Sequence, residues 1–244
     1  TVCVPLLPLM DLSPASRLTV ATVHHPDDLV LLREHLDTGR PLPAEVLEFR
    51  LDSFLHHGSQ VHSRAMALLP GLKEHCSILG TARCKEEGGS LPLDVAARRD
   101  LLVQSLEAGA AAIDIEVRSL ESLHDVVAKA KSLGIPVVAS FHDFEGTPPF
   151  YRLRDQIEKA VAGGATVVKL AVRVESMIAL FGLVSLFQQG WPVRISAMGM
   201  GSHGKLSRLV LAKAGSVLNY GYLREPNAPG QWPAGELRRL IAEI

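Results

Sequence analysis

The chain has 244 residues, 47% of them hydrophobic and 21% charged, with 25 Lys and Arg against 26 Asp and Glu. These proportions describe a compact globular protein able to bury a large core, and they exclude a disordered tail, a collagen-like repeat or a mucin. A net charge of −1 offers no clustered basic face, so neither a nucleic acid nor an anionic membrane is expected as a partner.

Residues 1–17 are Pro-rich and read as a short N-terminal extension that closes the bottom of the domain. The stretch VCVPLLPLM at 2–10 is apolar, but no basic region precedes it and two prolines interrupt it, which argues against a signal peptide. From residue 18 onward, short β-branched runs alternate with amphipathic stretches, and Gly, Pro or Asp marks the junctions. The predicted strands are Leu18–Val23, Val46–Asp52, Ser77–Cys84, Ala111–Val117, Pro136–Asp143, Thr166–Val174, Pro192–Met198 and Val217–Leu223. The predicted helices between and after them are Pro26–Asp37, Gln60–His75, Pro92–Glu107, Leu120–Leu133, Arg152–Ala162, Ser176–Gln189, Lys205–Ala214 and Ala234–Glu243. No apolar run reaches the ~18 to 20 residues of a membrane span.

Eight β/α rounds with a repeat of ~28 residues point to an α/β protein, a single-domain (β/α)8 TIM barrel over 18–244. A doubly wound open sheet is the alternative, and the strands decide against it. Side chains alternate along a strand, and here one parity is polar in strand after strand. The second strand puts Glu48, Arg50 and Asp52 on one face and Leu47, Phe49 and Leu51 on the other. Thr81 and Arg83, Asp114 and Glu116, Ser140 and His142, and finally Lys169 continue the polar parity. The central strands of an open sheet are covered by helices on both faces, whereas a barrel can gather polar groups near its mouth.

Burying Glu48, Asp114 and Glu116 with Arg50, Arg83 and Lys169 is costly unless they pair, so such a cluster at strand C-termini implies a small, oxygen-rich, anionic ligand. Lys169 lies at the centre of VVKLAV, on a strand with no edge to which its amine can escape. Desolvation beside Arg50 or Arg83 would depress its pKa and leave an amine able to attack a carbonyl and form an imine. His142 is on the neighbouring strand, within reach of the carbon that an imine would acidify, and is the candidate general base. Gly199–Gly204 spells GxGxxG, yet only one strand follows it, too few for a dinucleotide fold. It reads instead as a loop whose amides hold an anionic group, with Arg208 adding a grip on a carboxylate. Met198 and Met200 either line the pocket or fill the upper barrel layer.

Cys3, Cys76 and Cys84 are odd in number and form no CxxC pair, so no disulfide framework or zinc site is suggested, and reduced cysteines point to the cytoplasm. His24, His25, His56, His57 and His62 lack the spacing of metal ligands and read as solvated surface.

Seven motifs then carry a resemblance: EFRLD at 48–52, TARCKEEGG at 81–89, DIE at 114–116, SFHDFEGTP at 140–148, VVKLAV at 167–172, SAMGMGSHGKLSR at 196–208 and APGQ at 228–231. In this order, each at a strand end, they resemble the type I 3-dehydroquinate dehydratases of the shikimate pathway, which leads to aromatic amino acids. The resemblance implies a (β/α)8 barrel that dehydrates 3-dehydroquinate to 3-dehydroshikimate through an imine, with no metal and no cofactor, as a homodimer. It makes Lys169 the imine-forming lysine and His142 the general acid and base. Glu87 becomes the carboxylate that orients the histidine, with the adjacent Glu86 as the competing assignment. Arg208 would hold the substrate carboxylate, while Glu48, Arg50, Arg83 and Gln231 would bind ring hydroxyls and close over the site. Ala21 stands where the family commonly has a strand serine, and Asn227 where it has Ser or Ala. The other readings are a class I aldolase, which also uses a barrel lysine, and a non-catalytic sugar-acid sensor on the same barrel.

Overall fold

The computed structural model describes residues 10–13 and 15–244; the remainder of the predicted 1–17 extension lies outside the described residues. Eight parallel strands form one sheet: β1 (Leu18–Val23), β2 (Val46–Arg50), β3 (Ser77–Thr81), β4 (Ala112–Glu116), β5 (Val137–Asp143), β6 (Val167–Arg173), β7 (Arg194–Met200) and β8 (Leu218–Tyr222). The helices are α1 (Pro26–Thr38), α2 (Leu51–His56), α3 (Ser59–Leu72), α4 (Val95–Glu107), α5 (His124–Ser132), α6 (Phe150–Ala162), α7 (Met177–Val184), α8 (Gly204–Ala214) and α9 (Ala234–Ala242). Strand order is β7-β6-β5-β4-β3-β2-β1-β8, so the barrel closes between β7 and β8. No ladder runs across that seam. The Ser216 hydroxyl accepts from the Ala197 amide at 3.1 Å, the Ser196 hydroxyl donates to the Leu218 carbonyl at 2.6 Å, and the Val217 amide donates to the Ile195 carbonyl at 3.1 Å.

The period-two alternation sorts every strand into two layers. Ala21, Leu47, Phe49, Ile113, Ile115, Ala139, Val168 and Leu170 pack outward against the helices. Val20, Val46, Leu79, Ala112, Val138, Val167 and Leu218 point inward and, with the buried Met10, form an apolar floor. Two residues further along seven of the strands the inward positions turn polar: Thr22, Glu48, Thr81, Asp114, Ser140, Lys169 and Tyr220, all buried. The floor blocks the lower end of the barrel, so these groups have only one another and the upper mouth to face.

One predicted boundary differs in a way that matters for the site. The strand read as Val46–Asp52 ends at Arg50, and LDSFLH folds as the unpredicted helix α2. Leu51 and Phe54, three apart, fill the outer core, while Asp52 is drawn off by the next loop. Its carboxylate accepts from the Arg83 amide at 3.2 Å and the Ser90 amide at 2.9 Å, and takes the Arg50 guanidinium through two bonds of 3.1 and 3.0 Å. Asp52 thus ties residues 83 and 90 of the β3–α4 loop together.

Candidate active site

Lys169 is only 3% exposed, and its Nζ donates to Glu48 Oε1 at 3.2 Å and to Asp114 Oδ2 at 3.3 Å. The Tyr220 ring lies beneath it, with the centroid 4.0 Å away. The nearest charges to the amine are therefore carboxylates, not the arginines expected from the sequence. Arg83 serves those carboxylates from the other side, 2.9 Å from Asp114 and 3.8 Å from Glu48. Glu48 also accepts from Thr22 at 3.0 Å and Thr81 at 3.2 Å. Burial pushes the Glu48 carboxyl up, but the Lys169, Arg83 and Arg50 charges more than reverse this and hold it below its usual value. Asp114 is lowered in the same way, chiefly by Arg83 against the cost of burial.

Behind this layer, Glu116 accepts from the Cys84 amide at 2.8 Å and pairs with Arg83 and with Arg98 of α4. Its parity was read correctly, but its carboxylate is fully used in holding the wall. Buried acids and bases here alternate, and that alternation is what makes their desolvation tolerable.

His142 stands on β5, whose Ser140 pairs with Lys169 and whose His142 pairs with Ala171. One strand spacing of ~4.8 Å and a two-residue rise of ~6.6 Å place its ring above the amine, toward the mouth. Glu87 Oε2 accepts from both the His142 amide and Nδ1, each at 3.0 Å. Glu86, its neighbour on the short 3-10 turn Lys85–Glu87, points into solvent, so the geometry selects Glu87 as the partner of the histidine. Burial pushes the Glu87 carboxyl up to about 7, and Arg83 opposes the rise. Burial, with the Arg83 and Lys169 charges, pushes His142 well below its ordinary value, so the imidazole is neutral near pH 7. The Phe144 ring stacks on it at 6.2 Å and 17°.

Lys169, His142, Glu87, Glu48, Arg50, Arg83, Arg208 and Gln231 all line one cavity of about 130 Å³, room for on the order of ten water molecules. Met198 and Met200 line it too. Thr22, Phe144 and Tyr220, which were not among the expected site residues, also belong to this lining. Ala21 corrects the register of the sequence reading by one position, since it faces the helices while Thr22 brings the first strand's hydroxyl to the site.

The glycine-rich stretch at 199–204 departs from expectation at two positions. The Gly199 amide is taken by the Ser207 hydroxyl at 3.0 Å and the Gly204 amide by the Gly201 carbonyl at 3.0 Å, so neither is free for an anion. These glycines permit close packing instead: a Cβ on Gly204 would lie 2.7 Å from the Gly230 Cα. That contact seats the 227–231 loop, where Gln231 Oε1 accepts from the Asn227 amide at 2.9 Å and the Ala228 amide at 3.3 Å. Arg208 is 2% exposed, donates to the Tyr220 carbonyl at 2.7 Å and the Gly230 carbonyl at 3.1 Å, and has no acidic partner among the described residues. Burial lowers its pKa to about 10, still a cation at neutral pH and one with no counter-charge.

The sequence pattern of the type I 3-dehydroquinase family matches residues 22–244. The chain belongs to that family. Among its relatives, the 3-dehydroquinate dehydratase of Methanosarcina mazei is 34% identical over 225 residues, covering 87% of this chain and 91% of the relative. That of Shouchella clausii is 31% identical over 223 residues, covering 87% and 86%. The crystal structure of the Geobacillus kaustophilus 3-dehydroquinate dehydratase superposes with a TM-score of 0.79 at 27% identity, covering 93% of this chain and 90% of that one. As a type I 3-dehydroquinase the chain is a hydro-lyase that dehydrates 3-dehydroquinate, and the aldolase reading falls away. No helix among the described residues is long and apolar enough to cross a membrane.

Proposed function

We propose that the barrel converts 3-dehydroquinate to 3-dehydroshikimate through an imine on Lys169, with His142 as the general acid and base. One observation carries this reading: a buried amine, fixed by two carboxylates and an aromatic face, opens onto a cavity shared with a neutral, carboxylate-bound histidine. Arg208, buried without a counter-ion, supplies the charge that a substrate carboxylate needs and sets the ring in place. The amine attacks the ring ketone at C3 and water leaves. Glu87 occupies Nδ1 of His142, so Nε2 is the nitrogen that takes the proton from C2. The electron pair moves toward the imine nitrogen, a better sink than a ketone oxygen. His142 then returns its proton to the departing C1 hydroxyl, and water releases the product from Lys169. The enzyme uses no metal or nucleotide in this scheme.

Two further readings accompany it. The free thiols of Cys76 and Cys84 fit a reducing cytoplasm. The exposed apolar side chains Tyr151 of α6 and Ile178 and Phe181 of α7 fit a homodimer, since they are 68%, 84% and 61% exposed. A hollow of about 300 Å³ lined by Pro148, Pro149, Leu153 and Ala179 lies beside Ile178, so knob and hollow share one surface, as a two-fold interface requires.

Borohydride reduction in the presence of 3-dehydroquinate, followed by intact mass and peptide mapping, tests the mechanism. A stable adduct on the peptide carrying Lys169 is the expected result. Lys169→Ala should keep the fold and lose turnover, and His142→Ala should still form the adduct but stall. A near-normal rate in Lys169→Ala would sink the imine.

A further inference from the structure

Tyr220 carries a polar atom that the scheme above leaves without a task. Its side chain is buried, its ring forms the face under the Lys169 amine, and its hydroxyl has no hydrogen-bond partner among the described residues. Buried hydroxyls without partners are rare, and each needs a reason. Aromatic packing beneath Lys169 does not supply one, because a phenylalanine would present the same ring.

The reason emerges from counting hydrogen-bond donors along the reaction, and it rests on the imine reading. Lys169 as an ammonium has three N–H bonds, two of which serve Glu48 and Asp114. Condensation with a ketone joins R–NH3⁺ and O=C to give R–NH⁺=C and H2O. The C–N bond forms, the C–O bond breaks, and two of the three amine protons leave in the water. A single N–H remains for two buried carboxylates. One of them loses its Lys169 hydrogen bond at the moment the covalent intermediate forms. Thr22, Thr81, Ser140 and Arg83 are already engaged with these carboxylates in the free protein. Tyr220, whose ring lies against the Lys169 amine, carries a buried hydroxyl that has no such engagement.

We propose that the Tyr220 hydroxyl is a positioning group that takes over the hydrogen bond to the Glu48–Asp114 pair when Lys169 becomes an imine. Both carboxylates lie near enough for their charges, on top of burial, to push the phenol well above its ordinary value, so the group keeps its proton and donates. β8 pairs with β1, and Thr22 of β1 already bonds Glu48, so the ring approaches the pair from the adjacent wall. The hydroxyl is idle before the reaction and engaged during it. That stabilises the intermediate in preference to the free enzyme, which is the form of binding that raises kcat.

Tyr220→Phe removes the hydroxyl and keeps the ring over the amine. The variant should melt no lower than the parent, because no bond is lost in the free protein, while kcat falls roughly tenfold and KM for 3-dehydroquinate stays the same. Borohydride trapping at early times should give proportionately less adduct on Lys169. Tyr220→Leu, which removes the ring as well, should lower kcat further. An unchanged kcat in Tyr220→Phe would overturn the proposal, and so would a lowered melting temperature, which would make the hydroxyl an ordinary structural bond. Absence of adduct in the parent protein would instead remove the imine, and this proposal with it.

Discussion

A single carboxylate oxygen of Glu87 holds both the backbone and the ring of His142, and the pair titrates in a range open to experiment. Glu87 is raised from 4.5 to about 7, so between those values the folded protein keeps a proton that the unfolded chain has released. Its contribution to stability therefore falls as pH rises through that window. His142 is lowered, so its own contribution runs the other way, lost as pH falls below 6.5. Catalysis needs the Glu87 carboxylate to fix the imidazole tautomer, so kcat/KM should rise through about pH 7. Glu87→Gln should lower kcat about 100-fold, abolish that inflection, and make the melting temperature climb more steeply between pH 4.5 and 7 than in the parent; an inflection that survives would assign it to another group. The sequence reached these residues by motif and strand parity, but it could not choose between Glu86 and Glu87. A 3-10 turn advances about 120° per residue and sends adjacent side chains in different directions, which only the folded loop reveals. The same one-residue limit put attention on Ala21 when the hydroxyl belongs to Thr22.

Strands and their inward faces were legible because period-two alternation in a closed barrel leaves no freedom of register: a slip of one residue would exchange the charged layer for Leu47 and Phe49. Helix α2 was not legible, since Leu51 and Asp52 continue the alternation of the strand before them, and what bends the chain is distant: the Arg83 and Ser90 amides competing for Asp52. The amides of Gly199 and Gly204 were read as part of a ligand-facing loop and instead bond within the chain, and the contact between residues 204 and 230 leaves no trace in local pattern. Their role predicts a specific failure. Gly204→Ala places a Cβ 2.7 Å from the Gly230 Cα, backbone against backbone, and must displace the loop carrying Gln231. It should cost about 1–3 kcal/mol in denaturant unfolding and raise KM severalfold more than it lowers kcat. An unaltered KM would separate Gln231 from substrate binding.

At the scale of the molecule, eight alternating units in 244 residues were sufficient to recognise the barrel, and composition excluded most other partners before any motif was considered. Association is the property least visible in sequence, because an exposed apolar face on α7 has the same pattern as a buried one until the neighbours are known. Ile178→Asp with Phe181→Asp should convert a dimer to a monomer in sedimentation experiments without lowering the melting temperature of the protomer. A parent that is already monomeric would remove the interface.

The barrel wall is uneven. From β3 to β6 the backbone ladder is continuous and the side chains that would perform proton transfer and covalent chemistry hang from it. Between β7 and β8 closure depends on a clasp of two bonds through serine hydroxyls and one backbone bond, with Arg208 on the helix that joins these strands and Tyr220 on β8 itself. A clasp yields before a ladder does. Local opening should therefore begin at the β7–β8 seam, sparing the continuous ladder between β5 and β6 that sets His142 against Lys169.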